Sequence, residues 1–211
     1  MSRGMESASP GTCAAHERVY RELKREIIAN IIRAGTILSE TDLAKRFGCS
    51  RTPAREALAR LRHEGYVTLT PHKGNVVATP SIRDVLEGYY LRSLLEGAAA
   101  ELATARMTPE SLALLKRCVS PGTDSEIGPL NSRFHGLIAD IAGNQKLQSL
   151  IGDLLEQMER IVYLDPAMWT FDHLDEHLAI IEALSSGDGA RARAEMVRHI
   201  EASKTRVIGQ M

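Results

Sequence analysis

What this chain lacks narrows it first. Its 211 residues hold only three cysteines, Cys13, Cys49 and Cys118, odd in number and far apart. That spacing offers no disulfide frame and fits reduced thiols in a cytoplasm. No stretch approaches the run of about 18 uncharged apolar residues that a membrane span needs. The N-terminal end also lacks the apolar core of a secretion signal. Internal repeats and low-complexity tracts are absent, and no nucleophile sits beside an orienting pair of the kind covalent catalysis requires. A soluble cytoplasmic protein without a catalytic triad is the expectation.

A net charge of one sign is missing too, for the formal total is only −1. The balance conceals an asymmetry. Residues 1–80 carry 13 Lys and Arg against 8 Asp and Glu, a net of +5, while residues 81–211 carry 13 against 19, a net of −6. A basic segment joined to an acidic partner fits a nucleic-acid reader attached to something else.

Three parts follow from patterning. Residues 1–15 are small and polar and are expected to be disordered. In 16–79, Val19, Tyr20, Leu23, Ile27, Ile28 and Ile31 recur at helical spacing, predicting a first helix from His16 to Ile32. Ser39 is placed to cap a short second helix ending at Phe47, with Gly48 in the turn after it. Ser50 precedes a third helix whose inward stripe is Ala54, Ala57, Leu58 and Leu61, running to about Glu64. Residues 66–70 and 75–78 then read as strands paired across a His72-Lys73-Gly74 turn. This is the layout of a winged helix-turn-helix, whose second motif helix enters the DNA major groove. Pro80 marks the boundary. Residues 80–211 lack any strand pattern and read as an antiparallel bundle of about six helices. The fold class expected is therefore mostly α, a winged helix-turn-helix plus an all-helical bundle.

The third helix begins Ser50-Arg51-Thr52-Pro53-Ala54-Arg55. Arg51 and Arg55 stand one turn apart near its start, where an arginine reaches a phosphate or forks onto the O6/N7 edge of guanine. Ser50 and Thr52 add hydrogen bonds to phosphates beside the free N–H groups of the helix N-terminus. His72, Lys73 and Gly74 form the wing tip. A single arginine here would count only as a solubilising charge; two of them, a wing and a basic half-chain together point to double-stranded DNA.

The stretch ILSETDLAKRFGCSRTPAREALARLRHEGYV resembles the N-terminal domain of GntR-family bacterial transcription regulators. The helical half resembles the effector domain of the FadR-type, or FCD, subfamily, so that the likeness covers nearly all of the chain after residue 15. It implies a ligand-responsive regulator, a repressor binding a palindromic operator as a homodimer. Thr41 departs from the pattern, standing where many relatives carry a DNA-touching basic residue.

In the helical half, Asn131 and His135 lie four apart and share a helix face, while His177 and His199 fall on two later helices. Three imidazoles and one carbonyl oxygen converging between helices would suit Zn²⁺, Ni²⁺ or another borderline divalent cation. Spacing alone leaves the alternative of ordinary hydrogen-bonded core histidines. The resemblance implies the metal, because FCD domains place ligands at the positions of Asn131, His135, His177 and His199, with Asp common at the first. It also implies that Arg92 faces the interior and meets a small carboxylate effector, with Tyr89 lining the same cavity. The residue-level alternatives are an Arg92–Glu96 ion pair one turn apart and a plain core tyrosine. Two other functions stay open at this point: a metalloenzyme with a DNA-binding anchor, and a constitutive DNA binder whose metal only supports the fold. Against the enzyme, Glu176 and His177 are helix neighbours pointing about 100° apart, so they cannot easily address one metal-bound water.

Overall fold

A computed structural model of the chain describes residues 10–119, 127–164 and 174–209. Residues 1–9 lie outside the described residues, as do Trp169, whose place between two helices reads as a packing anchor, and His173, which reads as a surface residue or one that supports His177. Chain contacts divide the protein into two compact units, residues 1–79 and 80–211.

The first unit is built from α1 (Pro10–Ile28), β1 (Ile37–Leu38), α2 (Glu40–Phe47), α3 (Arg51–His63), β2 (Val67–Thr70) and β3 (Gly74–Val77). Helix α1 starts at Pro10, six residues before the expected start at His16, so residues 10–15 are helical rather than disordered. Proline suits a first helical turn, and Ala14 and Ala15 are the best helix formers, so propensity carries the helix past the stripe that made it readable. Ser39 caps α2 by accepting from the Asp42 N–H. Gly48 ends that helix at φ +60°, ψ +41°, a left-handed conformation that costs a residue with a Cβ about 1–2 kcal/mol. This one residue sets the turn between α2 and α3. Val19, Leu23, Ile27, Leu43, Phe47, Leu58 and Leu61 pack with Tyr66, Val67 and Val77 into a closed core.

The sheet has three strands in the order β1-β3-β2, all antiparallel, with Val67 opposite Val77 and Thr70 opposite Gly74. Strand β1 was not expected. It pairs only Ile37 with Val76 and Leu38 with Asn75, too short to display a period of two in sequence.

The second unit contains α4 (Ile82–Thr104), α5 (Pro109–Cys118), α6 (Ile127–Ile141), α7 (Gln145–Leu164), α8 (Leu174–Ser185) and α9 (Gly189–Ile208). Ser81 and Asp84 cap the start of α4 reciprocally, each side chain bonding the other's backbone N–H. Helix α4 is the spine: α9 packs along it, and α6, α7 and α8 also touch it. Gly88 lies against α7, where a Cβ would stand 2.6 Å from Met158 Cε and the methionine tip would have to shift. Phe134, Ile138, Ile151, Ile180, Met196 and Ile200 fill the core between these helices.

Candidate metal centre and nucleic-acid interface

Helix α3 separates its faces cleanly. Pro53, Ala54, Ala57, Leu58 and Leu61 are buried, whereas Ser50, Arg51, Thr52 and Arg55 are exposed. Ser50 has extended N-cap geometry, φ −75° and ψ 171°, yet its side chain bonds nothing in the helix. The hydroxyl is therefore left over, and the first N–H groups of α3 keep their outward positive field. The Arg51 guanidinium is 71% exposed, and its terminal nitrogen lies 3.5 Å from a carboxylate oxygen of Glu40 at the start of α2. At the wing tip His72 and Lys73 are exposed. The turn is tightened by the Lys73 N–H donating to the Thr70 carbonyl at 3.2 Å, with His72 at φ +63° and Gly74 at φ +78°. Arg62 ties this hairpin to α3 by donating to Asn75 Oδ1 at 2.5 Å, with Asn75 buried. The seven residues thus form an exposed cationic helix start and an exposed hairpin tip on a single packed unit.

In the second unit, α6, α8 and α9 bring His135, His177 and His199 together, at 1%, 5% and 2% exposure. His199 Nε2 lies 3.2 Å from His135 Nε2 and 3.2 Å from His177 Nε2. Ligating nitrogens of all three fall within 4.8 Å of one another. Phe134 closes one side, its ring centroid 4.3 Å from that of His177.

The opposite edges of two of these rings face carboxylates. His199 Nδ1 donates to Glu176 Oε2 at 2.7 Å, and Arg206 grips both oxygens of Glu176 at 2.9 Å each. His135 Nδ1 lies 2.5 Å from Glu96 Oε2, close though out of line for a straight hydrogen bond, and Arg92 Nε donates to Glu96 Oε1 at 2.5 Å. Burial alone would raise the Glu96 carboxyl, but its partners Arg92 and His135 prevail and hold it at about 2. Burial likewise opposes ionisation of Glu176, and the bonds from His199 and Arg206 prevail, holding it well below the carboxylate range. Burial pushes His199 down to about 4 against the raising effect of its Glu176 bond, so this imidazole is neutral.

A tautomer follows from these states. An ionised carboxylate only accepts, so the Nδ1 of neutral His199 carries the proton toward Glu176 and its Nε2 carries the lone pair. Three buried imidazoles whose Nε2 atoms converge, two of them with a carboxylate behind the ring, form a donor set that fits a borderline divalent cation. Asn131 sits one turn before His135 on α6, half-buried, and among the described residues its amide makes no hydrogen bond.

Arg92 is 4% exposed and makes the i,i+4 ion pair with Glu96. Tyr89 is buried beneath its guanidinium, 5.4 Å from ring centroid to guanidinium carbon, with its hydroxyl 3.3 Å from Ser203 Oγ. Sequence reasoning missed the participation of Glu96, Glu176 and Arg206. Glu96 was visible only as a partner for Arg92. Glu176 was weighed against His177, its neighbour in the chain, whereas the structure turns it toward His199 on α9.

Comparisons with known proteins match both units of the chain. Residues 15–77 match the gntR family of bacterial regulatory proteins, and residues 87–202 match the FCD domain. The chain is 31% identical over 194 residues to YdhC, an HTH-type transcriptional regulator of Bacillus subtilis (strain 168), covering 85% of each chain. It is 29% identical over 204 residues to the HTH-type transcriptional repressor RspR of Escherichia coli (strain K12), covering 90% of this chain and 87% of that one. In fold it is similar to E. coli McbR/YncC, with a TM-score of 0.76, 22% identity, and coverage of 93% and 98%. It is also similar to a GntR regulator from Rhodococcus sp. RHA1, with a TM-score of 0.77, 22% identity, and coverage of 94% and 99%.

Proposed function

Because this chain belongs to the GntR family of bacterial regulatory proteins and carries an FCD domain, we propose that it represses transcription as a homodimer on a palindromic operator and senses a small organic acid at a metal-bearing pocket. It is a transcriptional regulator and not an enzyme. The observation that carries the sensory part is the convergence of three buried Nε2 atoms backed by two ionised carboxylates. Residues His135, His177 and His199, with Asn131 as a neutral fourth, would hold a divalent ion such as Zn²⁺ or Ni²⁺. When bound, that ion supplies a Lewis-acidic seat for a carboxylate. Glu96 and Glu176 orient the rings, Phe134 keeps water from one flank, and Arg92 with Tyr89 faces the effector.

Reading of the operator rests with Ser50, Arg51, Thr52 and Arg55 in the major groove and with His72, Lys73 and Gly74 at the wing. The setting is the cytoplasm; among the described residues no helix is long and apolar enough to cross a membrane.

Helix α4 supports the homodimer. Its outer face leaves Ile82, Leu86, Tyr90, Leu91, Leu94 and Leu102 between 43% and 63% exposed. Apolar patches of this extent are uncommon on a monomer surface. The face is also self-complementary. Laid antiparallel on a second copy about residue 92, Tyr90 meets Leu94, Leu86 meets Ala98 and Ile82 meets Leu102, while exposed Arg83 meets exposed Glu101.

The test is titration of a fragment of the gene's own promoter, with and without chelator, across small carboxylates. A carboxylate should release DNA from metal-loaded protein and leave the stripped protein's binding unchanged. Release that ignores metal would remove the ion from the sensor. If metal alters only the melting temperature, its role is purely structural.

A further inference from the structure

The wing hairpin is anchored unevenly. At its base Val67 and Val77 face each other and are buried with Tyr66 in the core of the first unit. The outer part, residues 68–76, contributes no side chain to that core, and Leu69 is 69% exposed. Strand β1 steadies β3 only as far as the Leu38–Asn75 pair, so the tip at 70–74 projects beyond it. Two paired strands without a packed face are marginal in water. Among the described residues, the only hydrogen bond between 68–76 and α3 runs from Arg62 to Asn75 Oδ1.

Neither partner is ordinary where it stands. Asn75 is a buried amide in the middle strand of the sheet, a place that favours β-branched and aromatic side chains. Arg62 follows Arg51 by eleven residues and Arg55 by seven, so the helical period sets it within about 20° of both, on the same face of α3. Those two arginines are exposed, whereas Arg62 is half-buried. Helical side chains lean toward the N-terminus, and this one ends on the residue next to Gly74 of the wing tip. We infer that Arg62 and Asn75 are positioning residues for DNA binding. Their bond sets the wing tip against the reading helix, so that Lys73 meets a phosphate while Arg51 and Arg55 occupy the major groove, which rests on the reading of helix and wing above.

Asn75→Val cuts the bond without altering any charge, and valine suits a central strand. The full chain is titrated onto a fragment of the gene's own promoter by fluorescence anisotropy over a range of salt. Lys73→Ala should weaken binding about threefold or more and lower the slope of log affinity against log salt by about one, the loss of one phosphate contact. Asn75→Val should do the same although it is uncharged, and adding Lys73→Ala to it should change affinity by no more than about twofold, because the wing contact is already lost. Arg62→Met cuts the same bond from α3 and keeps a long apolar stem. Lys73→Ala should be silent in that background too, so either variant carries the test if the other fails to fold. A salt slope unmoved by Asn75→Val overturns the inference, as do losses from Asn75→Val and Lys73→Ala that multiply; the bond would then serve the fold alone. If Lys73→Ala has no effect on the otherwise unaltered protein, it is the wing reading beneath the inference that falls.

Discussion

At the scale of single residues, Arg51 and the imidazole trio are the groups whose removal is most telling. Arg51 reaches into solvent with one loose carboxylate neighbour, so truncating it leaves the core of its unit untouched. Arg51→Ala should weaken specific operator binding by about 1–3 kcal/mol per half-site, with circular dichroism unchanged; fluorescence anisotropy at fixed salt reads the loss. His135→Ala combined with His199→Ala should abolish stoichiometric metal, and an ion retained by the double variant would mean that other ligands hold it. The arginines were legible because they stand at the start of a helix with a known docking geometry. The carboxylates behind the rings were not, since Glu96 and His135 come from helices α4 and α6, and no local period links residues whose contact is made by packing.

Among the elements, the turn between α2 and α3 offers a clean measurement. Gly48 has φ +60°, and a Cβ built there meets nothing within 4 Å. Any cost of substitution is then conformational and not steric. Gly48→Ala should destabilise the N-terminal unit by about 1 kcal/mol, whereas Gly48→Asn, which tolerates the left-handed region, should lose less; equal melting temperatures for all three proteins would contradict the assignment. The helices were largely readable because each pairs an apolar stripe with a capping residue, as Ser39, Ser81 and Thr108 do for α2, α4 and α5. The start of α1 and the strand β1 were not. One extends by propensity beyond its stripe, and the other has two residues and owes its pairing to β3.

For the molecule as a whole, the decisive question is assembly. Tyr90→Lys with Leu94→Glu should convert a dimer to a folded monomer, because both side chains lie on the exposed side of α4 and neither belongs to the core of the second unit. Sedimentation velocity checks this directly, and a dimer that survives both charges would have to be built on another surface. Two units with separate cores were foreseeable from the charge asymmetry and from Pro80. That α4 is apolar on both sides is equally visible in its sequence, but which side meets the bundle becomes known only when α9 is laid along it.

That double-sided spine has a mechanical consequence. Arg92 and Glu96 project inward from the same two turns whose outward residues are Tyr90 and Leu94. A rod this short is stiff in torsion, so whatever tugs at its inner edge must roll its outer edge by the same angle. In the proposed dimer, occupancy at the inner edge and the pairing angle of two such rods would be a single variable, as with a cam and its follower. The proposed sensor would then need no further moving part within this bundle.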